Sequence, residues 1–175
     1  MAGLLWRPDA KSLAGRGSRR SAQLLGSGKS LVATWEALDR YGLVGTWLPE
    51  WTRVRRLPQY NAVHRYTVDR HLVEAACRAS AFSREVSRPD LLVLCGLLHD
   101  IGKGLPGDHS VVGAPIAAEI ATCIGLPAAD VAMVERVVRQ HLLLPDTATR
   151  RDLADPVTIA TVAELVVDTD TLGLL

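Results

Sequence analysis

Aromatic residues are scarce in this chain: a single Phe and three Tyr leave the core to be built from Leu, Val, Ile and Ala. Cysteine is equally sparse. Cys77, Cys95 and Cys123 are an odd number without CxxC or other zinc-type spacing, which excludes a disulfide framework and a cysteine zinc site. Each sits in an apolar stretch, so buried free thiols in a reducing cytoplasm are expected. No apolar run approaches the roughly 18–20 residues that a membrane helix needs. The opening Met1-Ala-Gly-Leu-Leu-Trp6 is broken by Arg7-Pro8 too soon to be a signal peptide. Net charge is also nearly absent, at +1, which argues against a dedicated nucleic-acid binder but leaves room for a local basic patch. Arg greatly outnumbers Lys; this suits bidentate phosphate recognition and equally fits compositional bias.

Alternating apolar and polar runs are missing too, whereas Leu, Ala and Val recur at helical spacing, so the expected fold class is all-α. The 175 residues give room for one domain and a tail. Residues 1–29 are expected as a Gly-, Ser- and Arg-rich leader, and residues 30–175 as the domain. Gly26-Ser-Gly-Lys-Ser30 is not a phosphate-binding loop, because Gln23 stands where the first Gly is required and no strand precedes it. Helices are expected over Ser30–Tyr41, with Leu31, Trp35 and Leu38 on one face, and over Val68–Phe82, capped by Thr67. Between them, Leu48-Pro-Glu-Trp51 and Arg53 to Pro58 read as an irregular connection. A very apolar helix over Leu91–Ile101, ended by Gly102, belongs at the centre. Further helices are expected from His109 to Ile124, Ala128 to Leu142 and Pro156 to Val167, the last capped by Asp155.

The chemistry lies in where the ionisable residues fall. His99 and Asp100 end the most apolar helix, beside Leu97, Leu98 and Ile101. Burying both there is costly without compensation, and a divalent cation supplies it. Adjacent helical residues diverge by about 100°, so both reach one ion only if it sits beyond the helix end. Further ligands must then come from neighbouring helices, and His71, His109 and His141 are suitably spread. Any one of them alone reads as a surface or capping histidine. Together with His99, they make a distributed set of four.

Leu97-Leu-His-Asp-Ile-Gly-Lys103 resembles the central signature of the HD superfamily, with His71 one helix upstream. His109, Gly113 and His141 resemble the subset with a binuclear centre. Leu48-Pro-Glu-Trp51, His64 to His71, Arg88-Pro-Asp-Leu-Leu92, Gly107-Asp-His-Ser110 and Leu142 to Asp152 are similar to the HD domain of the PII uridylyltransferase/uridylyl-removing family, actinobacterial type, over residues 30–175. The resemblance implies an HD-domain helical bundle in which His71, His99 and Asp100 hold one divalent metal, Mn or Mg. Asp100 would bridge to a second ion held by His109 and His141. It implies a catalytic role for Asp100, and hydrolysis of a nucleotide phosphodiester, UMP or AMP, on a tyrosine of the PII signalling protein, with no nucleic acid or membrane as partner. Lys103 would meet the substrate phosphate, or is a solvated helix-end lysine. His64 and Arg65 are substrate contacts, or cap and pack the helix entrance. Arg150 and Arg151 bind a phosphate or an acidic patch, or pair with Asp152 or Asp155.

The family pattern also implies a closing Asp ligand beyond the segment that Leu172-Gly-Leu-Leu175 begins, so the chain is expected to be a fragment whose activity is reduced or lost. Asp168 and Asp170 are expected as solvated turn residues. The nucleotidyltransferase half, with its Gly-Ser motif and paired acidic residues, is not expected here. Two other readings remain at this point. One is an HD hydrolase of free nucleotides; its cyclic dinucleotide version lacks the Gly-Tyr-Pro signature, with Leu142-Leu-Leu-Pro145 in that place. The other is a non-catalytic helical regulatory module.

Overall fold

Leu, Val and Ala at three- and four-residue spacing fold into helices throughout this computed structural model, which describes residues 27–60 and 65–175. Helix α1 (Ser30–Arg40) is followed by α2 (Leu43–Trp47), α3 (Trp51–Val54) and α4 (Val68–Ala79), which runs into a 3-10 turn, Ser80–Phe82. Then come α5 (Pro89–Leu98), α6 (His109–Cys123), α7 (Ala128–Gln140), α8 (Leu143–Arg150), α9 (Pro156–Val166) and α10 (Thr169–Leu174). No strand occurs among the described residues, and no helix there is long and apolar enough to cross a membrane. The expected leader lies outside the described residues apart from a turn at 27–29, and so does His64.

Helix α5 is the axis of the bundle because it has no polar face. Leu91, Val93, Leu94, Cys95, Leu97 and Leu98 are all buried, and α4 and α7 pack against it. Gly96 makes the approach of α4 possible: a Cβ there would lie 3.3 Å from the backbone of Ala76. Helix α6 packs against α7, so α4, α5, α7 and α6 are linked in the group that carries the chemistry.

Several expectations are corrected. The connection after α1 contains two short helices, α2 and α3, and they bury Val44, Trp51 and Val54. The core is not purely aliphatic: Trp35 and Trp51 are 2% and 1% exposed and meet edge to face, with ring centroids 5.0 Å apart. Helix α5 ends at Leu98 and α7 at Gln140, so His99 and His141 are C-caps. Beyond α7, where no helix is expected before Pro156, α8 forms with Pro145 in its first turn. Cys123 is exposed. Asp168 is an N-cap rather than a plain turn residue, its carboxylate accepting from the Thr171 amide at 2.6 Å. Asp170 accepts from Ser87 Oγ at 2.7 Å.

Arg88, which caps α5, forks onto two carboxylates. Its guanidinium meets Asp130 of α7 at 2.5 and 2.8 Å and Asp90 of α5 at 2.8 Å. The hydrogen bonds from Arg88 hold the Asp130 carboxyl below its ordinary range against the opposing effect of burial. Arg88→Ala should therefore cost about 1 kcal/mol of stability at neutral pH. Asp130 has a depressed folded-state pKa, so this contribution is complete above the unfolded carboxyl value of about 4 and disappears as pH falls through the lower folded value. Urea unfolding of both proteins at a series of pH values checks this; a gap that persists at the acid end would contradict it.

Candidate metal centre

Four imidazoles and one carboxylate converge between α4, α5, α6 and α7. His71 comes from the first turns of α4, His99 and Asp100 from the end of α5, His109 from the first position of α6, and His141 from the end of α7. Their placement follows from local rules. At each of the two C-caps, the histidine Nδ1 donates to an orphan helix carbonyl three residues back: His99 to Gly96 at 2.9 Å and His141 to Val138 at 2.7 Å. Since a carbonyl only accepts, a proton sits on Nδ1 and each Nε2 is the ring atom left to face the centre. At the start of α6, Asp108 accepts from the amide and hydroxyl of Ser110 at 2.8 and 2.7 Å, which fixes the turn that brings His109 inward.

Asp100 is the hub. It is 2% exposed, and its two oxygens face different pairs of rings. Oδ2 lies 3.5 Å from Nε2 of both His71 and His99, while Oδ1 lies 3.2 Å from Nε2 of His109 and 3.6 Å from that of His141. His71 and His99 face each other nitrogen to nitrogen at 3.0 Å. The groups therefore sort into two triplets sharing Asp100: His71, His99 and Asp100, and Asp100, His109 and His141. Separations of 3.0–3.6 Å suit neighbouring donors about 2.1 Å from a shared ion. The donor set, imidazole and carboxylate without thiolate, fits a divalent cation.

Electrostatics support the same fit. Burial by itself pushes the Asp100 carboxyl up, but its contacts with His99 and Lys103 outweigh this and hold it well below the usual carboxylate range. An anion is thus retained in the interior. Burial pushes the His141 imidazole down, which favours its neutral, ligating form. Cys95, behind His99, is pushed up to about 12 by burial and stays a protonated thiol. A cleft of about 250 Å³ opens beside the centre, lined in part by Leu92, Cys95, His99, Val137 and His141.

The expected set His71, His99, Asp100, His109 and His141 is brought together, and Lys103 joins it with Nζ 2.6 Å from Asp100 Oδ2. Lys103 is not a solvated helix-end lysine, since its side chain is only 18% exposed. Arg150 and Arg151 are exposed at the end of α8; Arg150 pairs with Asp146 at 3.6 Å, not with Asp152 or Asp155. Arg65 is exposed ahead of α4. Sequence reasoning missed Gln59, whose Oε1 accepts from Lys103 at 2.5 Å, and Arg53, which donates to the Ile101 carbonyl at 2.6 Å. Both lie in or beside the stretch that reads as irregular, where no periodicity marks a residue as inward.

A helical bundle that gathers His, His-Asp, His and His around one buried carboxylate defines a class, and the HD domain family matches residues 68–172. The chain belongs to the HD domain family. Among curated proteins it is similar to the bifunctional uridylyltransferase/uridylyl-removing enzyme of Streptomyces coelicolor, with 59% identity over 152 residues, covering 87% of this chain and 18% of the relative. The enzyme of the same name from Mycobacterium tuberculosis is 54% identical over 141 residues, 81% of this chain and 18% of the relative. That from Azotobacter vinelandii is 36% identical over 168 residues, 87% and 19% respectively. The chain thus spans less than a fifth of the length of these relatives.

Proposed function

We propose that residues 30–175 form a cytoplasmic, divalent-metal-dependent phosphodiester hydrolase domain that removes a nucleotidyl group, UMP or AMP, from a tyrosine of the PII nitrogen-regulatory protein. The observation that carries the reading is Asp100, a buried carboxylate whose two oxygens each face a separate pair of imidazoles. That arrangement would let one anion serve two cations. The relatives' name includes a uridylyl-removing activity, and a metal centre of this composition suits removal by hydrolysis.

His71, His99 and Asp100 would hold one ion, and Asp100, His109 and His141 the other. Bound ions of this kind polarise phosphate oxygens and lower the pKa of water. The chain's own groups do the rest. Asp100 contributes a negative charge that Lys103, with Nζ 2.6 Å from Oδ2, helps to keep ionised. His99 and His141 are held in the ligating tautomer by the Gly96 and Val138 carbonyls. Lys103 sets a positive charge at the edge of the centre, where a phosphate oxygen gaining charge is stabilised. Arg65, Arg150 and Arg151 are exposed and would contact the phosphate or an acidic patch of the partner protein, with His64 beside Arg65 in sequence.

The test uses PII protein carrying a nucleotidyl-tyrosine and the purified chain with Mn²⁺. Release of UMP or AMP that requires the metal, and that falls at least about a hundredfold in His99→Ala, is expected. A chain that with Mn²⁺ hydrolyses free nucleotide phosphodiesters yet releases neither UMP nor AMP from the PII protein would overturn the substrate reading.

A further inference from the structure

The place of Lys103 in the centre is set by two oxygens rather than one. Its Nζ lies 2.6 Å from Asp100 Oδ2 and 2.5 Å from Gln59 Oε1. The other end of the Gln59 amide is engaged as well, its Nε2 donating to the Tyr66 carbonyl at 3.1 Å. With a cation on one side and a carbonyl on the other, the amide has one sensible orientation, oxygen toward the lysine. Tyr66 stands two residues before α4, so this amide ties Lys103 to the entrance of the helix that carries His71.

The same short stretch grips the loop at a second point. Arg53 donates to the carbonyl of Ile101, between Asp100 and Lys103 in sequence. Leu57 lies under Gly104, whose φ of +84° turns the chain away just after Lys103. Residues 53–59 precede the span that the HD domain family matches, 68–172, so family membership gives them no role.

We propose that Gln59 is a positioning residue: it holds the Lys103 ammonium beside Asp100, ready for a phosphate oxygen. The proposal rests on reading the centre as a phosphohydrolase site. A lysine side chain has four flexible carbons and loses much freedom when it is fixed, so a second acceptor matters. When Asp100 shares its oxygens with a cation, its hold on the ammonium weakens, because two positive charges then compete for one carboxylate. The neutral Gln59 oxygen keeps its lone pairs for Lys103.

The sequence offers a clean probe, since Lys11, Lys29 and Lys103 are its lysines. In metal-free chain labelled at the lysine ε-carbon, the two ε protons of Lys103 should give separate NMR signals, as for a side chain held in one place. In Gln59→Met, which keeps length but loses the acceptor, they should merge, with Lys11 and Lys29 unchanged. Gln59→Glu, which keeps an acceptor, should retain the separation. With Mn²⁺ and the nucleotidyl-tyrosine substrate, Gln59→Met should lower kcat about tenfold and cause no further loss in a Lys103→Met background. Unchanged Lys103 signals in Gln59→Met would overturn the proposal, and so would additive losses in the double variant. Merged signals in Gln59→Met, from a wild-type chain that hydrolyses free nucleotide phosphodiesters but not the nucleotidyl-tyrosine, would uphold the hold on Lys103 and overturn the functional reading instead.

Discussion

Asp100→Asn is expected to remove both metal sites at once, weakening Mn²⁺ binding by more than about a hundredfold and abolishing hydrolysis. The side chain keeps its shape but loses its charge, so the effect reports electrostatics rather than a cavity. Each oxygen of Asp100 serves a different pair of histidines. Replacing one histidine should spare one triplet; replacing the carboxylate spares neither. The variant also leaves Lys103 beside a neutral amide, in a place where it is only 18% exposed. Breaking a buried pair by removing one partner costs about 3–5 kcal/mol, and the partial exposure of Lys103 puts the expectation at the lower end, about 3 kcal/mol. A second signature lies in linkage. At a Mn²⁺ concentration about a hundred times its Kd, the wild-type chain should gain about 2.7 kcal/mol for each ion bound, and the variant almost nothing. Denaturant unfolding with and without Mn²⁺ measures both quantities. If Mn²⁺ stabilised the Asp100→Asn protein as strongly as wild type, Asp100 would have no place in the centre.

The centre was legible in the sequence because its residues break local rules. A carboxylate and an imidazole at the end of an all-apolar helix have no reason to be there without a compensating charge. The helices themselves were legible where they are long and marked, as with Asp155 before Pro156 or Gly125 after α6, whose φ of +88° suits the end of a helix. What was not legible is short or depends on partners far away in sequence. Helices α2 and α3 are five and four residues long and show no periodicity. Helix α8 is short as well, and Pro145 fits its first turn because it lacks only an amide that no helix carbonyl would have accepted. The Trp35–Trp51 contact joins residues sixteen positions apart across α1 and α3, and nothing local announces it. Gln59 and Arg53 are ordinary polar residues in sequence; only the return of the chain past Ile101 and Lys103 makes them part of the centre.

Gly102 illustrates the same limit, and its substitution should have the other large effect. In sequence it reads as the stop of α5, a role that many residues could share. In the folded chain it is where the loop after Asp100 touches the start of α6 backbone to backbone. A Cβ on Gly102 would lie 2.2 Å from the His109 carbonyl oxygen, 2.7 Å from the Gly113 amide nitrogen and 2.8 Å from the Gly113 Cα. All three are main-chain atoms of a helix, so no rotamer change relieves the overlap. Gly113 makes the matching approach, its own Cβ position being 3.0 Å from the Gly102 nitrogen. Gly102→Ala must therefore push α6 away, and His109, the first residue of α6, moves with it. Overpacking of this kind costs about 3 kcal/mol or more, which for a chain of this size lowers Tm by roughly 6–12 °C. The shift should also separate His109 from Asp100 while leaving His71 and His99, on the other side of the carboxylate, in place. The expected result is a folded but less stable protein that binds one Mn²⁺ per chain where wild type binds two, read by calorimetric titration at a temperature below both transitions. Two ions bound with an unchanged Tm would mean that the contact between Gly102 and α6 does not position His109.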